Sequence, residues 1–140
     1  MTKRLQIKAE GGCLCGAVRY HVDGAVEESG YCHCRTCQRQ SGAPVVAWFA
    51  VKPAQFAYNS GAPATFRASA RAGREFCSSC GTYLVFREDD AKATLSVNTA
   101  TLDDPAVMAP EFHIYYGSKI AWFETTDSLP RHERGIGQDR

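Results

Sequence analysis

Cys13-Leu14-Cys15-Gly16-Ala17-Val18-Arg19-Tyr20-His21-Val22 carries the two signals that decide the fold. A pair of thiols one residue apart closes on a glycine, and directly after it Val18, Tyr20 and Val22 alternate with their neighbours. Alternation of period two is the mark of a half-buried strand, because successive side chains point to opposite faces. Thiols this close in sequence rarely meet disulfide geometry, whereas a tight turn brings both onto one metal ion. The stretch therefore reads as a strand that leaves a metal-binding knuckle.

Working outward, the same alternation recurs at Leu5, Ile7 and Ala9, at Phe76 with Leu84 and Phe86, and at Leu95 and Val97. Turn signals lie between the runs: Gly11-Gly12, Asp23-Gly24, Ser29-Gly30, Asn59-Ser60-Gly61, Ala72-Gly73 and Asp89-Asp90. Their spacing predicts an antiparallel all-β domain. Val45 to Val51 is apolar on both faces and reads as a central strand covered on each side. No sustained 3.6-residue stripe is present; one short helix is predicted after Arg35, ending near Ser41 with Gly42 as its stop.

At 140 residues, 44% hydrophobic and 22% charged, the sequence has the size and composition of one globular domain. Residues 1–130 are read as that domain, and the polar stretch 131–140 as a loose tail without a role. Sixteen Lys and Arg against fifteen Asp and Glu give a formal charge of +1, so no net field draws the chain to nucleic acid or anionic lipid. The longest mostly apolar stretch, Ala43 to Val51, is far below the roughly 18–20 residues that span a bilayer. The N-terminal residues Met1 to Arg4 lack the apolar block of a secretory signal, which points to a cytoplasmic protein without a membrane partner.

Seven cysteines, an odd number, cannot all close as intramolecular disulfides, and their spacing favours metal. They fall into three groups: Cys13 and Cys15; Cys32, Cys34 and Cys37; Cys77 and Cys80. The first and last groups both end in glycine, at Gly16 and Gly81, where a positive-φ turn lets backbone N–H groups approach the sulfurs. They read as facing knuckles of one closed four-cysteine zinc site, a structural staple. In the middle group, Cys32 and Cys34 of an extended segment share a face and the following turn returns Cys37 to it. Three ligands with an open fourth position are the arrangement of a catalytic zinc.

Charge decides what such a centre suits. Three thiolates more than neutralise Zn2+, making it a poorer activator of water and a better host for a soft sulfur ligand. A thiol held as its thiolate at neutral pH adds to an aldehyde carbonyl to give a thiohemiacetal. The residues thus point to a small-molecule thiol and an aldehyde as partners.

In these residues the sequence resembles the glutathione-dependent formaldehyde-activating family, which also includes centromere-protein-V-type proteins. The matching pieces are Gly12-Cys13-Leu14-Cys15-Gly16-Ala17-Val18, Cys32-His33-Cys34-Arg35-Thr36-Cys37-Gln38 leading to Ser41-Gly42-Ala43, and Phe76-Cys77-Ser78-Ser79-Cys80-Gly81, with His113-Ile114, Lys119, Trp122 and Leu129-Pro130 behind them. The resemblance runs over about residues 5 to 130. It implies the folded-sheet architecture called a β-tent, a structural zinc on Cys13, Cys15, Cys77 and Cys80, and a catalytic zinc on Cys32, Cys34 and Cys37. The implied activity is a carbon–sulfur lyase, the reversible joining of glutathione and formaldehyde to S-(hydroxymethyl)glutathione. Arg35, Arg39 and Lys119 are candidate anchors for the glutathione carboxylates.

Competing readings stand beside these. His33, or a residue from elsewhere, completes a second closed site in one of them, and the chain is then a zinc-stabilised binding module rather than an enzyme. In another, the cysteines are buried or redox thiols. His113 and His21 are expected as strand residues, with His132 in the tail; Trp48, Phe49, Trp122 and Phe123 are expected in the core. Arg67, Arg71 and Arg74 are expected on a solvated loop.

Overall fold

The computed structural model describes residues 5–136, and these form two sheets and one short helix. The smaller sheet joins β1 (Leu5–Gly12), β2 (Arg19–Val26) and β5 (Phe56–Ser60) in the order β1-β2-β5. β1 and β2 pair along their whole length, from Leu5 opposite Val26 to Gly12 opposite Arg19. That register sends Ile7 inward with Tyr20, Val22 and Val26, as the alternation requires.

The larger sheet holds seven strands: β3 (Glu28–Cys32), β4 (Val46–Val51), β6 (Ala64–Arg67), β7 (Ala72–Phe76), β8 (Tyr83–Glu88), β9 (Leu95–Asn98) and β10 (His113–Ile114). Their order is β10-β3-β4-β9-β8-β7-β6. Phe49, Val51, Val85, Leu95 and Val97 face the small sheet and close one core with Ile7, Tyr20 and Val22, most of it inaccessible to solvent. Face-to-face burial of the two apolar sides is what holds the sheets together. The all-β, antiparallel expectation is met, apart from β10, which runs parallel to β3.

Strand β4 lies inside the large sheet, as expected, but a second layer does not cover its far face. There, one row crosses five strands: Glu28 opposite Ala50, Ala50 opposite Ser96, Ser96 opposite Phe86, Phe86 opposite Arg74. These side chains form the wall of a cleft. Helix α1 (Arg35–Ser41) lies at its end, and Gly42 closes the helix in the left-handed conformation with φ 71°.

The stretch after Pro130 also departs from expectation. Rather than a loose tail, Arg131 bridges to His113, His113 donates to Pro130 and accepts from His132, and Tyr115 donates to Arg134. Residues 137–140 of that stretch lie outside the described residues. Among the described residues no helix is long and apolar enough to cross a membrane.

Candidate metal centres

The β1–β2 turn and the β7–β8 turn meet edge to edge. Each builds a knuckle from its own backbone: Gly16 donates to the Cys13 carbonyl at 3.1 Å, and Gly81 to the Cys77 carbonyl at 2.8 Å. Both glycines have φ 81°, the left-handed value the sequence called for. Val18 N–H reaches Cys13 Sγ at 3.2 Å, Cys80 N–H reaches Cys77 Sγ at 3.5 Å, and Leu14 N–H crosses to Thr82 Oγ1 at 3.0 Å. Hydrogen bonding from Thr82 holds the Cys80 thiol down at about 5.

The four sulfurs of Cys13, Cys15, Cys77 and Cys80 all lie within 4.8 Å of one another. Ligands about 2.3 Å from a tetrahedral zinc stand about 3.8 Å apart. Cys13 to Cys15 is 3.7 Å and Cys15 to Cys77 is 3.8 Å, so the sulfurs fit that ion.

The sulfurs of Cys32, Cys34 and Cys37 form the second group, again within 4.8 Å. Cys32 ends β3, Cys34 is the N-cap of α1, and the first helical turn returns Cys37, whose N–H donates to Cys34 Sγ at 3.3 Å. Hydrogen bonds from the other two thiols hold Cys34 low, and the same contacts push Cys32 far up. Three sulfurs so close ionise together only around a cation. The donor set and its closeness fit a zinc ion here as well.

His33 does not join this group. Extended backbone turns it the other way, where its Nε2 meets His113 Nδ1 at 2.8 Å, and His113 Nε2 meets Asp127 at 3.1 Å. Burial first, and then the neighbouring His113, Lys119 and Arg131, lower His33 to about 4. The Gln38 amide donates to the His33 carbonyl at 2.7 Å, and His33 N–H donates to the Ile114 carbonyl at 3.1 Å. The backbone between Cys32 and Cys34 is therefore fixed on both sides. His113 is a satisfied, fully buried strand residue, as expected, and His21 lies exposed on β2 against Asn59.

The cleft beside the three cysteines has a volume of about 490 Å3, within the range of small-molecule sites. Trp48, Phe86 and Ile114 supply its apolar wall, Arg74 and Tyr83 flank Cys37, and Glu28 and Glu88 also line it. Several expectations are corrected here. Arg74 sits in β7 with only 7% of its surface exposed, and donates to Cys37 Sγ at 3.6 Å; Arg67 is in β6 and pairs with Asp89. Trp48 lines the cleft instead of filling the core, and Trp122 is 74% exposed. Of the candidate anchors, Lys119 is engaged by Glu124 at 2.8 Å and is not on the cleft, while Arg35 and Arg39 line a separate groove of about 650 Å3 that shares Thr36 and Arg74 with it. The sequence signal for Arg74 was its place two residues before Phe76 in an alternating strand, outweighed by the neighbouring arginines.

Comparison with known proteins agrees with this geometry. The family model described as glutathione-dependent formaldehyde-activating enzyme matches residues 8–118. An uncharacterized lyase of Schizosaccharomyces pombe is 32% identical over 91 residues, and the match spans 64% of this chain and 64% of the length of that relative. A crystal structure of a Rhodobacter sphaeroides protein superposes with a TM-score of 0.54 at 25% identity, covering 67% of this chain and 87% of the other.

Proposed function

We propose, from the premise that this chain belongs to the glutathione-dependent formaldehyde-activating enzyme family, that it is a zinc-dependent carbon–sulfur lyase acting on a glutathione-like thiol and a small aldehyde, or on their adduct. The observation that carries this reading is the group of three cysteines on the floor of an open cleft, with His33 turned away from it. Cys13, Cys15, Cys77 and Cys80 would hold a structural zinc, and Cys32, Cys34 and Cys37 a second one. A zinc held by three thiolates supplies an acceptor position for a fourth, soft sulfur and keeps that sulfur ionised at neutral pH.

The chain's own residues do the rest. Trp48, Phe86 and Ile114 give the approach to the cysteines an apolar wall. The substrate sulfur attacks the aldehyde carbon, the C=O pair moves to oxygen, and that oxygen takes a proton; the reverse sequence breaks the C–S bond. Tyr83, whose hydroxyl oxygen accepts from Arg74 at 3.0 Å, keeps its own proton to donate toward that oxygen. Its position on the cleft wall beside Cys37 supports this role.

The test is NMR exchange spectroscopy of glutathione with formaldehyde, with and without zinc-loaded protein. Exchange faster than the spontaneous reaction, lost in Cys32→Ser, is the expected result. Exchange no faster than without protein overturns the proposal and leaves a zinc-stabilised binding module.

A further inference from the structure

Arg74 is a buried cation that pairs with no carboxylate among the described residues. Its side-chain hydrogen bonds to described residues run from Nη1: to Gln40 Oε1 at 3.2 Å, to the Tyr83 hydroxyl at 3.0 Å and to Cys37 Sγ at 3.6 Å. Its Nε is buried with no partner. The rings of Phe86 and Tyr83 lie 5.1 and 5.4 Å from the guanidinium carbon, but neutral rings bring no net charge. Glu75, next to it in β7, alternates to the opposite face and is bound there by Arg87 and Tyr58. Guanidinium keeps its proton in proteins, so burying one without an anion is strongly unfavourable.

Among the described residues, the only anion source that Arg74 touches is the cysteine group. Three thiolates around a divalent ion carry three negative charges against two positive ones, leaving one negative charge over. One guanidinium cancels it. We propose that Arg74 is the counter-cation of the Cys32, Cys34 and Cys37 centre, a positioning residue that offsets the third thiolate through Cys37 and so sets the centre's affinity for a divalent metal. An incoming substrate thiolate then meets a neutral centre rather than an anionic one. This inference rests on the metal-centre part of the proposed function and not on the lyase reaction, so absence of turnover leaves it standing.

The test is cobalt(II) binding by competition with a chelator, together with the sulfur-to-cobalt charge-transfer band, in the full chain. The four-cysteine centre serves as an internal control through total metal content. Arg74→Gln should weaken binding at the three-cysteine centre by about 10- to 100-fold and shift its band, with the other centre unchanged. Arg74→Lys keeps the charge without the fork and should retain the second metal with a shifted band. Wild-type cobalt affinity in Arg74→Gln, or loss of the second metal in Arg74→Lys, overturns the proposal. Should Arg74→Gln not fold, Arg74→Lys decides: retention of the second metal supports charge compensation, and its loss overturns it.

Discussion

Replacing Cys77 with serine opens the four-cysteine centre at its most buried ligand, which is 1% exposed. A metal on these sulfurs closes the chain between Cys15 and Cys77, which are 62 positions apart. Closing a loop of that size removes about 4 kcal/mol of chain entropy from the unfolded state. Against a total stability of about 5–15 kcal/mol for a domain, that is a large fraction. At about 3 °C per kcal/mol, the melting temperature should fall by about 10–15 °C. The assay is urea and thermal unfolding of the wild type and Cys77→Ser, each with excess zinc and with chelator. Chelator should lower the wild type toward the variant and lower the variant, which keeps the Cys32, Cys34 and Cys37 centre, by much less. A Cys77→Ser variant within about 1 kcal/mol of the wild type in zinc would refute the reasoning, since the loop would then be closed by packing alone.

Gly81→Ala meets no atom within 4 Å, so its cost is backbone strain at φ 81° alone, about 1–2 kcal/mol by denaturant unfolding; an unchanged midpoint would show that the knuckle relaxes freely. Cys32→Ser should lose one of two zinc ions and keep the fold, whereas Cys13→Ser should lose the other and much of the stability; metal analysis with circular dichroism separates them, and joint loss of both ions in either variant contradicts two separate centres. For Asp127, hydrogen bonding from Thr125, against some desolvation, and then from His113 holds the carboxyl well below its usual range. As the pH falls, the unfolded chain takes up the proton first, so the stability it gives is complete above about pH 4 and declines progressively below that, vanishing only when the pH reaches the depressed value of the folded carboxyl. Asp127→Asn should therefore melt below the wild type at pH 7, with a gap that starts to narrow as the pH falls below about 4; a constant gap down through the acid range would mean that the carboxylate does not anchor this segment.

What was legible in the sequence is what short-range geometry dictates. Gly16 and Gly81 follow directly from the turns that two close thiols need, and Gly42 from the need to stop a helix after Ser41. Strands β1, β2 and β9 follow from alternation because one of their faces is buried against the other sheet, whereas in β8 Val85 takes that face and Phe86 lines the cleft. The rest depends on partners far away in the chain. Strand β10 is two residues long, too short to show a period, and exists because β3 and the segment after Pro130 supply its hydrogen bonds. Arg74 looked like part of a solvated basic run with Arg67 and Arg71; the pairing of β7 with β8 is what turns it onto the cleft opposite Phe86. The contacts of His113 with His33 and Asp127 are silent in sequence for the same reason, since His33 and His113 lie 80 positions apart.

The most direct measurement is the crystal structure of the zinc-loaded protein with glutathione. The account predicts two zinc ions: one enclosed by Cys13, Cys15, Cys77 and Cys80, and one on Cys32, Cys34 and Cys37 whose fourth ligand is the glutathione sulfur at about 2.3 Å. A side chain of the protein in that fourth position, with glutathione absent from the cleft, would contradict it.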